Sequence, residues 1–201
     1  MYDYIPFAPF PTLPAFLNWV ETRIRCDPTL VLFAVLDKSK TSDAYPSEES
    51  PQASLAGIIG LLDTSPDHLR TEIGLLFTLP TYWRTHITAN AVGLLLSWCF
   101  DELGMRRVQW RSDPMNVASI RVAERMGFQR ERVKRWDRVL APGKEGVGVR
   151  ADDVMPEGKG LHTMYLAICW DDWGEWRERV LEVMNRNLKS GPSSNAERSM
   201  S

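Results

Sequence analysis

The stretch from residue 71 to residue 100 constrains the fold of this chain more than any other. It opens with the apolar run TEIGLLFTLP, passes through the polar turn TYWRTH and ends in an apolar-striped segment. The stripe consists of Val92, Leu95, Leu96, Cys99 and Leu103. This spacing predicts a helix after a strand and a turn, and Gly104 is well placed to end that helix. Because a helix start presents unpaired N–H groups and a partial positive charge, the junction either connects two elements or binds an anion.

One helix and two further strands are predicted before this junction. Residues 12–26 have helical apolar spacing, and Thr12 is a suitable N-cap because its hydroxyl oxygen can accept from an unpaired N–H group. The apolar stripe of this helix is Leu13, Phe16, Leu17, Val20 and Ile24. The apolar runs typical of strands lie at residues 30–36, 55–63 and 71–79. They predict a three-stranded meander, with a polar loop at 38–54.

The second half of the chain continues to alternate strands and helices. The predicted elements are a strand at 107–111, a helix from Asn116 that Gly127 closes, a strand at 128–140, a strand at 163–170 and a helix at 173–188. Residues 141–162 are rich in glycine, which predicts a long loop. The element order indicates a single α/β domain at 1–188 with a mixed sheet, and the polar tail at 189–201 is predicted to be disordered.

Composition excludes several classes of protein. The chain has 201 residues, of which 44% are hydrophobic, so it can form one substantial core. The net charge of −2 gives no general affinity for nucleic acid. Residues 105–150 hold 12 Lys+Arg against 5 Asp+Glu. We interpret this excess as a solvated face; the alternative is a nucleic-acid surface, which the absence of interleaved exposed aromatic residues disfavours.

The cysteines and the first residues of the chain indicate whether the protein binds a metal, crosses a membrane or is secreted. Cys26, Cys99 and Cys169 are far apart and odd in number, which favours neither a metal site nor a disulfide framework. No apolar run is long enough for a membrane span, and MYDYIPFAPFP lacks the pattern of a signal peptide. We therefore expect a cytoplasmic protein without a bound metal.

One block of sequence carries a family resemblance. It is RRVQWRSDPMNVASIRVAERMGFQRE, with N-x-x-S at Asn116 to Ser119 and G-F at Gly127 and Phe128. This block resembles the GNAT superfamily of acetyl-CoA-dependent N-acetyltransferases, and most of all its branch of Rim-type and spermidine-type enzymes. The E-I-G of the preceding strand and TMYLAICWDDW near the C-terminus fit the same branch. The resemblance covers residues 30–173 and implies a single-domain GNAT fold, with helices flanking a mixed central sheet.

The resemblance implies a coenzyme A pyrophosphate site at the strand–turn–helix junction within residues 71–100. Acetyl-CoA would be the cosubstrate, and the implied coenzyme-binding residues are Phe77, Thr78, Trp83, Arg84, Thr85, His86, Ile87, Thr88, Asn116 and Ser119. His86 occupies a position where the family pattern has glycine, and fungal proteins that resemble the family carry a similar R-T-H-[IV] loop. We expect the loop to keep its shape, because a helical backbone at His86 needs no positive φ. A weakened coenzyme site is the alternative.

A second departure concerns the start of the fold. The family begins with a strand before its first helix, whereas this chain reaches the predicted helix at once, so the first family strand is expected to be missing. The neighbouring strand would then have an exposed edge.

Three residues are implied for the chemistry. Glu72 is the candidate base, Ser119 the candidate donor to the coenzyme sulfur, and Tyr165 a further candidate acid. Each also has a structural alternative: a surface carboxylate, a first-turn helix serine and a packed tyrosine. Trp136 is a candidate lining residue of the acceptor site and His162 a candidate proton carrier. In the family the reacting centre lies where two central strands diverge.

The function that the resemblance implies is transfer of an acetyl group from acetyl-CoA to a primary amine by direct attack. The acceptor would be a protein N-terminus or a small-molecule amine, and the protein a monomer or a homodimer. The alternative is a catalytically silent relative that acts by binding coenzyme A or another protein, which His86 and the missing strand both motivate.

Overall fold

The computed structural model describes Tyr4, residues 9–38 and residues 54–189. The predicted loop at 38–54 falls outside these ranges except for its two end residues, and the predicted tail at 189–201 falls outside them except for residue 189. Among the described residues, every helix is too short or too polar to cross a membrane.

In the described part of the chain, six strands form one mixed sheet. The strands are β1 (Val31–Asp37), β2 (Ser54–Ser65), β3 (Arg70–Thr78), β4 (Arg107–Ser112), β5 (Gln129–Val139) and β6 (Gly160–Cys169). Their order across the sheet is β1-β2-β3-β4-β6-β5. The first three strands form the predicted antiparallel meander, β3 and β4 are parallel, and β6 lies antiparallel between β4 and β5. The prediction of a mixed α/β sheet is confirmed.

Four α-helices among the described residues flank the sheet. They are α1 (Leu13–Trp19), α2 (His86–Ser97), α3 (Val117–Arg125) and α4 (Trp170–Lys189), and α1 and α2 each continue into a π-helical turn, Val20–Arg25 and Trp98–Glu102. The main core joins α2, α3 and α4 to one face of the sheet. Its fully buried side chains include Val92, Leu96, Val108, Ile168 and Val180. Burial of this apolar surface is the main source of stability for this layer.

The helix caps follow the sequence prediction. Thr12 Oγ1 accepts from Ala15 N at 3.3 Å, and Asn116 Oδ1 accepts from Ser119 N at 3.1 Å. Gly104 follows the π-helical turn after α2 with φ 60°, a left-handed conformation that glycine adopts without strain.

The predicted apolar stripe of α1 is only partly correct. Leu13 and Leu17 are 68% and 51% exposed, while Ile24 is buried. Phe16 packs instead against Trp19, with ring centroids 6.1 Å apart. Among the described helices, α1 contributes no residue to the main core. It therefore buries less apolar surface against the sheet than its spacing predicts.

Two predicted boundaries near the C-terminus are wrong by three residues. The strand β6 begins at Gly160, because Gly160 pairs with Val139 and bridges Val147. Its predicted last residue, Trp170, is 64% exposed and begins α4. Asp172 stabilises this early helix start, since its Oδ2 accepts from the backbone N–H of Cys169 at 3.2 Å.

Within the described ranges, the sheet begins with β1 as an edge strand, and the missing family strand stays a prediction. Among the described residues before α1, none forms a strand, and β1 lies at one edge of the sheet. Val31 and Leu36 of this strand are 40% and 50% exposed.

Gly127→Ala should destabilise the fold. Gly127 has φ 96°, and a Cβ there would lie 2.8 Å from the Trp176 ring, so the variant combines backbone strain with a steric clash. We expect a loss of about 1–3 kcal/mol in the free energy of unfolding, measured by urea titration.

The matched control is Gly174→Ala, in a helix and with no atom within 4 Å of the added Cβ. It should stabilise the protein by roughly 0.5–1 kcal/mol through helix propensity. Equal effects of the two variants would contradict this account of Gly127.

Candidate active site

The groove begins where β3 and β4 separate. Their parallel pairing covers Arg70 to Glu72 on β3 and Arg107 to Gln109 on β4, and it ends at the pair Glu72–Gln109. Both strands continue beyond this pair without facing each other. The opening between them belongs to a groove of about 960 Å³, and Glu72 lies at its inner end. This is the strand divergence that the family resemblance predicts.

A bulge in β3 shapes one wall of the groove. On β2, Ile58 pairs with Phe77 and Gly60 with Gly74, so Leu75 and Leu76 together oppose Ile59. Leu75 has φ 48°, a left-handed value that is uncommon for leucine. A bulge leaves a residue outside the ladder and turns its peptide groups away from the neighbouring strand. Both leucines line the groove.

The turn before α2 forms the outer end of the groove. Thr85 is the N-cap, and its Oγ1 accepts from Ile87 N at 3.4 Å and donates to Tyr82 O at 2.7 Å. Trp83 Nε1 donates to Thr78 O at 2.8 Å and so ties the turn to the end of β3. Arg84 carries the left-handed backbone of this turn, with φ 61°. Hence the unpaired N–H groups of the α2 start lie next to the groove.

His86 is the first residue of α2 and has a helical backbone, as the sequence predicts. Its side chain lies outside the groove lining and points to β1, where His86 Nε2 is 3.7 Å from Asp37 Oδ1. The imidazole therefore does not occupy the space in which a phosphate would bind at this turn.

The groove brings together most of the predicted coenzyme-binding residues. Those with atoms in its lining are Phe77, Thr78, Trp83, Arg84, Thr85, Thr88, Asn116 and Ser119. His86 and Ile87 are the two that do not line it, and Ile87 packs with Tyr82 and Ala56 in a small second core. Thr88 and Thr78 share a hydroxyl–hydroxyl hydrogen bond of 3.0 Å.

Glu72 is a buried carboxylate, not a surface one. Glu72 is 4% exposed, and its carboxylate forms an ion pair with the Nε of Arg111. The same guanidinium also contacts Asp63, with Arg111 Nη2 2.6 Å from Asp63 Oδ2. Burial raises the pKa of Glu72 to about 7, and the neighbouring Asp63 charge adds to the rise. Arg111 and Arg138 act in the opposite direction, because a positive charge favours the ionised form. A carboxyl group with this pKa can accept a proton near neutral pH.

Ser119 lies in the first turn of α3 with its hydroxyl directed by Trp110. The indole Nε1 of Trp110 donates to Ser119 Oγ at 2.9 Å. A serine hydroxyl that accepts one hydrogen bond can still donate its own proton. Since both residues line the groove, the Ser119 proton is available to a ligand there.

Tyr165 lies on β6 beside Arg111, its partner on β4, but outside the groove lining. The Arg132 guanidinium lies 5.1 Å from the centroid of its ring. Tyr165 thus lies next to the residue that pairs with Glu72.

Trp136 and His162 lie together on β5 and β6. Trp136 has φ 52° and its N–H donates to His162 Nδ1 at 3.1 Å, with ring centroids 5.7 Å apart. His162 lines a separate cavity of about 550 Å³ that shares Asp113 and Leu161 with the main groove. Neither residue lines the groove at Glu72.

Three charged residues of the groove that act on the Glu72 carboxyl were not predicted from the sequence: Asp63, Arg111 and Arg138. They come from β2, β4 and β5. Arg111 alternates with the core residue Trp110 along β4, which indicates that it faces away from the core. Its pairing with Glu72 depends on the strand register, which local spacing does not reveal.

The ligand atoms of Cys169, Asp171 and Asp172 lie within 4.8 Å of one another, near the start of α4. Asp172 already accepts hydrogen bonds there from Cys169 N and from Gln129 Nε2. These contacts account for its position without an ion. The expectation of no bound metal stays a prediction.

Comparison with known proteins places the chain in a family. Residues 5–129 match the acetyltransferase (GNAT) domain family. The chain is 32% identical over 103 residues to the uncharacterized N-acetyltransferase YoaA of Bacillus subtilis, and this match spans 51% of the chain and 58% of that relative. The chain thus covers little more than half of the curated relative.

Solved structures share the fold. A GCN5-related N-acetyltransferase from Brucella melitensis superposes with a TM-score of 0.70 at 22% identity, over 91% of this chain and 70% of that one. The spermidine N-acetyltransferase from Vibrio cholerae, solved with CoA and spermine, gives a TM-score of 0.60 at 13% identity, over 86% and 83%. The chain belongs to the GNAT acetyltransferase domain family.

The charges around Glu72 predict opposite shifts of its pKa in two variants. Asp63→Asn removes a negative charge, so it should lower the pKa of Glu72; Arg111→Met removes a positive charge, so it should raise it. Carboxyl carbon shifts in an NMR titration of the protein would measure both.

Arg107→Met is the matched control, because Arg107 lies on the same strand but pairs with Glu131 outside the groove. It should leave the titration of Glu72 unchanged. A wild-type Glu72 that titrates at its ordinary value of 4.5 would contradict the burial argument.

Proposed function

We propose that this chain is an acetyl-CoA-dependent N-acetyltransferase that moves an acetyl group to a primary amine by direct attack. The observation that carries the proposal is the position of Glu72, a buried carboxyl with a pKa of about 7 at the point where β3 and β4 separate. Membership of the GNAT domain family supports the same reaction class.

The coenzyme would lie along the groove with its pyrophosphate at the start of α2. The N–H groups of the first helical turn and the helix dipole favour an anion there, and the Arg84 side chain lines the groove beside them. The start of α3 contributes Asn116 and Ser119 to the same groove. A neighbour of the same fold was solved in complex with CoA, which supports CoA as the ligand but gives no position for it.

In the proposed reaction the amine nitrogen attacks the thioester carbonyl and forms the N–C bond. Glu72 takes a proton from the amine, directly or through one water molecule, because a protonated amine has no lone pair for attack. The attacking nitrogen then loses its second proton to solvent and the C–S bond breaks. The leaving thiolate accepts a hydrogen bond from the Ser119 hydroxyl and takes its proton from solvent. Backbone N–H groups of the β3 bulge at Leu75 and Leu76 are candidates to stabilise the oxyanion.

The acceptor is a protein N-terminus or a small-molecule amine. The charged residues of the groove near Glu72 are of both signs, Asp63 against Arg111 and Arg138, and so favour neither class.

An amine panel with acetyl-CoA, holding peptides with free N-termini, polyamines and amino acid amides, tests the proposal. Thiol release that requires one of these amines supports it. Coenzyme binding without transfer to any acceptor would favour the silent relative, and the absence of both would contradict the proposed function.

Glu72→Gln should remove the acid limb of the pH profile of kcat/KM. In the wild type this limb should lie near pH 7, since only the ionised form of Glu72 accepts a proton. We expect kcat to fall by roughly 10²- to 10⁴-fold at neutral pH. An unchanged profile would assign the proton to another group.

Ser119→Ala should lower kcat more than it lowers affinity for acetyl-CoA, because the hydrogen bond from the hydroxyl is needed when negative charge develops on the leaving sulfur. The loss of one charge-assisted donor predicts roughly a tenfold or larger decrease in kcat. Trp110→Phe keeps a smaller aromatic ring and removes the N–H that directs Ser119 Oγ, so it should have a smaller effect of the same kind. Wild-type turnover in Ser119→Ala would exclude this role.

A further inference from the structure

Arg138 is a cation of the groove to which the proposed reaction gives no task. It lies on β5, lines the groove and has a side chain that is 46% exposed. Its charge lowers the pKa of Glu72, so the guanidinium acts on the carboxyl at the inner end of the groove. A positive charge is thus held beside the group that would take the proton of the amine.

Arg138 lies on the face of the sheet opposite to the helix starts assigned to the coenzyme. Trp110 belongs to the main core, on the face that carries α2 and α3. Its neighbour Arg111 points to the other face, because successive side chains of a strand alternate, and its cross-strand partner Tyr165 shares that face. Leu161 lies four residues before Tyr165 on β6, hence on the same face, and pairs with Arg138. This separates Arg138 from the coenzyme end of the groove.

The contacts of Arg138 hold it only loosely. Its Nε lies 3.9 Å from Asp137 Oδ2, a long distance for an ion pair. Asp137 pairs more closely with Lys134 through its other oxygen. An exposed ion pair of this length contributes little stability, so the guanidinium can turn to a ligand at small cost.

The charges that act on Glu72 balance only while the acceptor is absent. Arg111 and Arg138 are positive, Asp63 and the ionised Glu72 are negative, and the four charges cancel. A bound ammonium group adds one positive charge, and transfer of its proton to Glu72 leaves that excess in place. A negative group on the acceptor, held at Arg138, would remove the excess.

Two further acids line the groove, Asp27 and Asp113, and each is used in a local turn. Asp27 Oδ1 accepts from Thr29 N at 2.9 Å, and Asp113 Oδ1 accepts from Met115 N at 2.7 Å. Neither contact involves Arg138, so these acids leave its guanidinium open to an anionic ligand.

We propose that Arg138 is a specificity-determining residue that binds a carboxylate of the acceptor, so that the preferred substrates are primary amines that also carry a carboxylate. This inference rests on the proposed function, since it concerns the acceptor of the same reaction. The planar guanidinium matches the two oxygens of a carboxylate in a way that an ammonium does not. The carboxylate belongs either to a free amino acid or to the acidic first residue of a peptide.

The test compares kcat/KM for two matched pairs of acceptors at saturating acetyl-CoA, expressed per neutral amine. One pair is alanine and alaninamide, and the other is aspartyl-alaninamide and asparaginyl-alaninamide. The wild type should prefer the carboxylate member of at least one pair by roughly tenfold or more, the size of one charge-assisted hydrogen bond. The pair that shows the preference identifies the source of the carboxylate.

Arg138→Gln should reduce this preference to about threefold or less. The substitution also raises the pKa of Glu72, but that change affects both members of a pair alike, so the ratio reports the carboxylate contact alone. Arg130→Gln is the matched control, because Arg130 lies on the same strand but pairs with Glu124 outside the groove lining. It should keep the wild-type ratio.

Three results would overturn the inference: equal rates for both members of both pairs in the wild type, a preference that Arg138→Gln leaves unchanged, or a tenfold loss of acetyl-CoA affinity in Arg138→Gln. The last would assign Arg138 to the coenzyme. If Arg138→Gln does not fold, Arg138→Lys decides, since it keeps the charge and loses the planar fork. A preference reduced threefold or more then supports the inference, and an unchanged preference overturns it.

Failure of the proposed function would look different. A wild type that transfers acetyl to no amine overturns both the function and this inference. A wild type that acetylates amides and carboxylates equally well overturns the inference alone.

Discussion

The site depends on the point where the backbone pairing of β3 with β4 stops, at Glu72 and Gln109. Beyond that pair the two strands separate, and each leads to a helix start: β3 to the Thr85 cap of α2, β4 to the Asn116 cap of α3. Both capping residues line the groove. One break in the sheet therefore produces the opening, places a carboxyl at its inner end and brings two electropositive helix ends to its walls.

Charge balance in this groove follows from burial. A carboxyl at the inner end of a groove loses solvation, which raises the pKa of Glu72 to about 7, and the contact with Arg111 limits that rise. At the start of α2, His86 Nε2 lies 3.7 Å from Oδ1 of the buried Asp37. In both places a basic side chain of one element lies against an acid of another. The two ends of the groove thus favour opposite kinds of chemistry, proton acceptance at one and anion binding at the other.

Local signals in the sequence predicted the order of strands and helices and their caps well. The meander, the strand–turn–helix junction, the caps at Thr12 and Asn116 and the helix end at Gly104 all depend on residues close in sequence, and the structure confirms them. The resemblance to GNAT proteins gave the fold, and eight of the ten coenzyme-binding residues that it implies line the groove. Glu72 was predicted as a candidate, but its burial was not evident from a single strand.

The features that local spacing missed depend on contacts between distant segments. Arg111 meets Glu72 only because of the register between β3 and β4, and Asp63 reaches it from β2. The side-chain direction of His86 depends on Asp37, 49 residues earlier in the chain. Leu13 and Leu17 have helical apolar spacing yet are exposed, since the spacing cannot tell how much of a sheet face one helix will cover.

The most direct test of the account is a thermal unfolding experiment on the full chain with and without acetyl-CoA. A ligand at a hundred times its dissociation constant stabilises the native state by about 2.7 kcal/mol. For a chain of this length that corresponds to an increase in Tm of roughly 5–10 °C. The account predicts such an increase, because the groove between β3 and β4 is assigned to the coenzyme. An unchanged Tm at millimolar acetyl-CoA would mean that the turn before α2 only connects a strand to a helix, and would contradict the central claim.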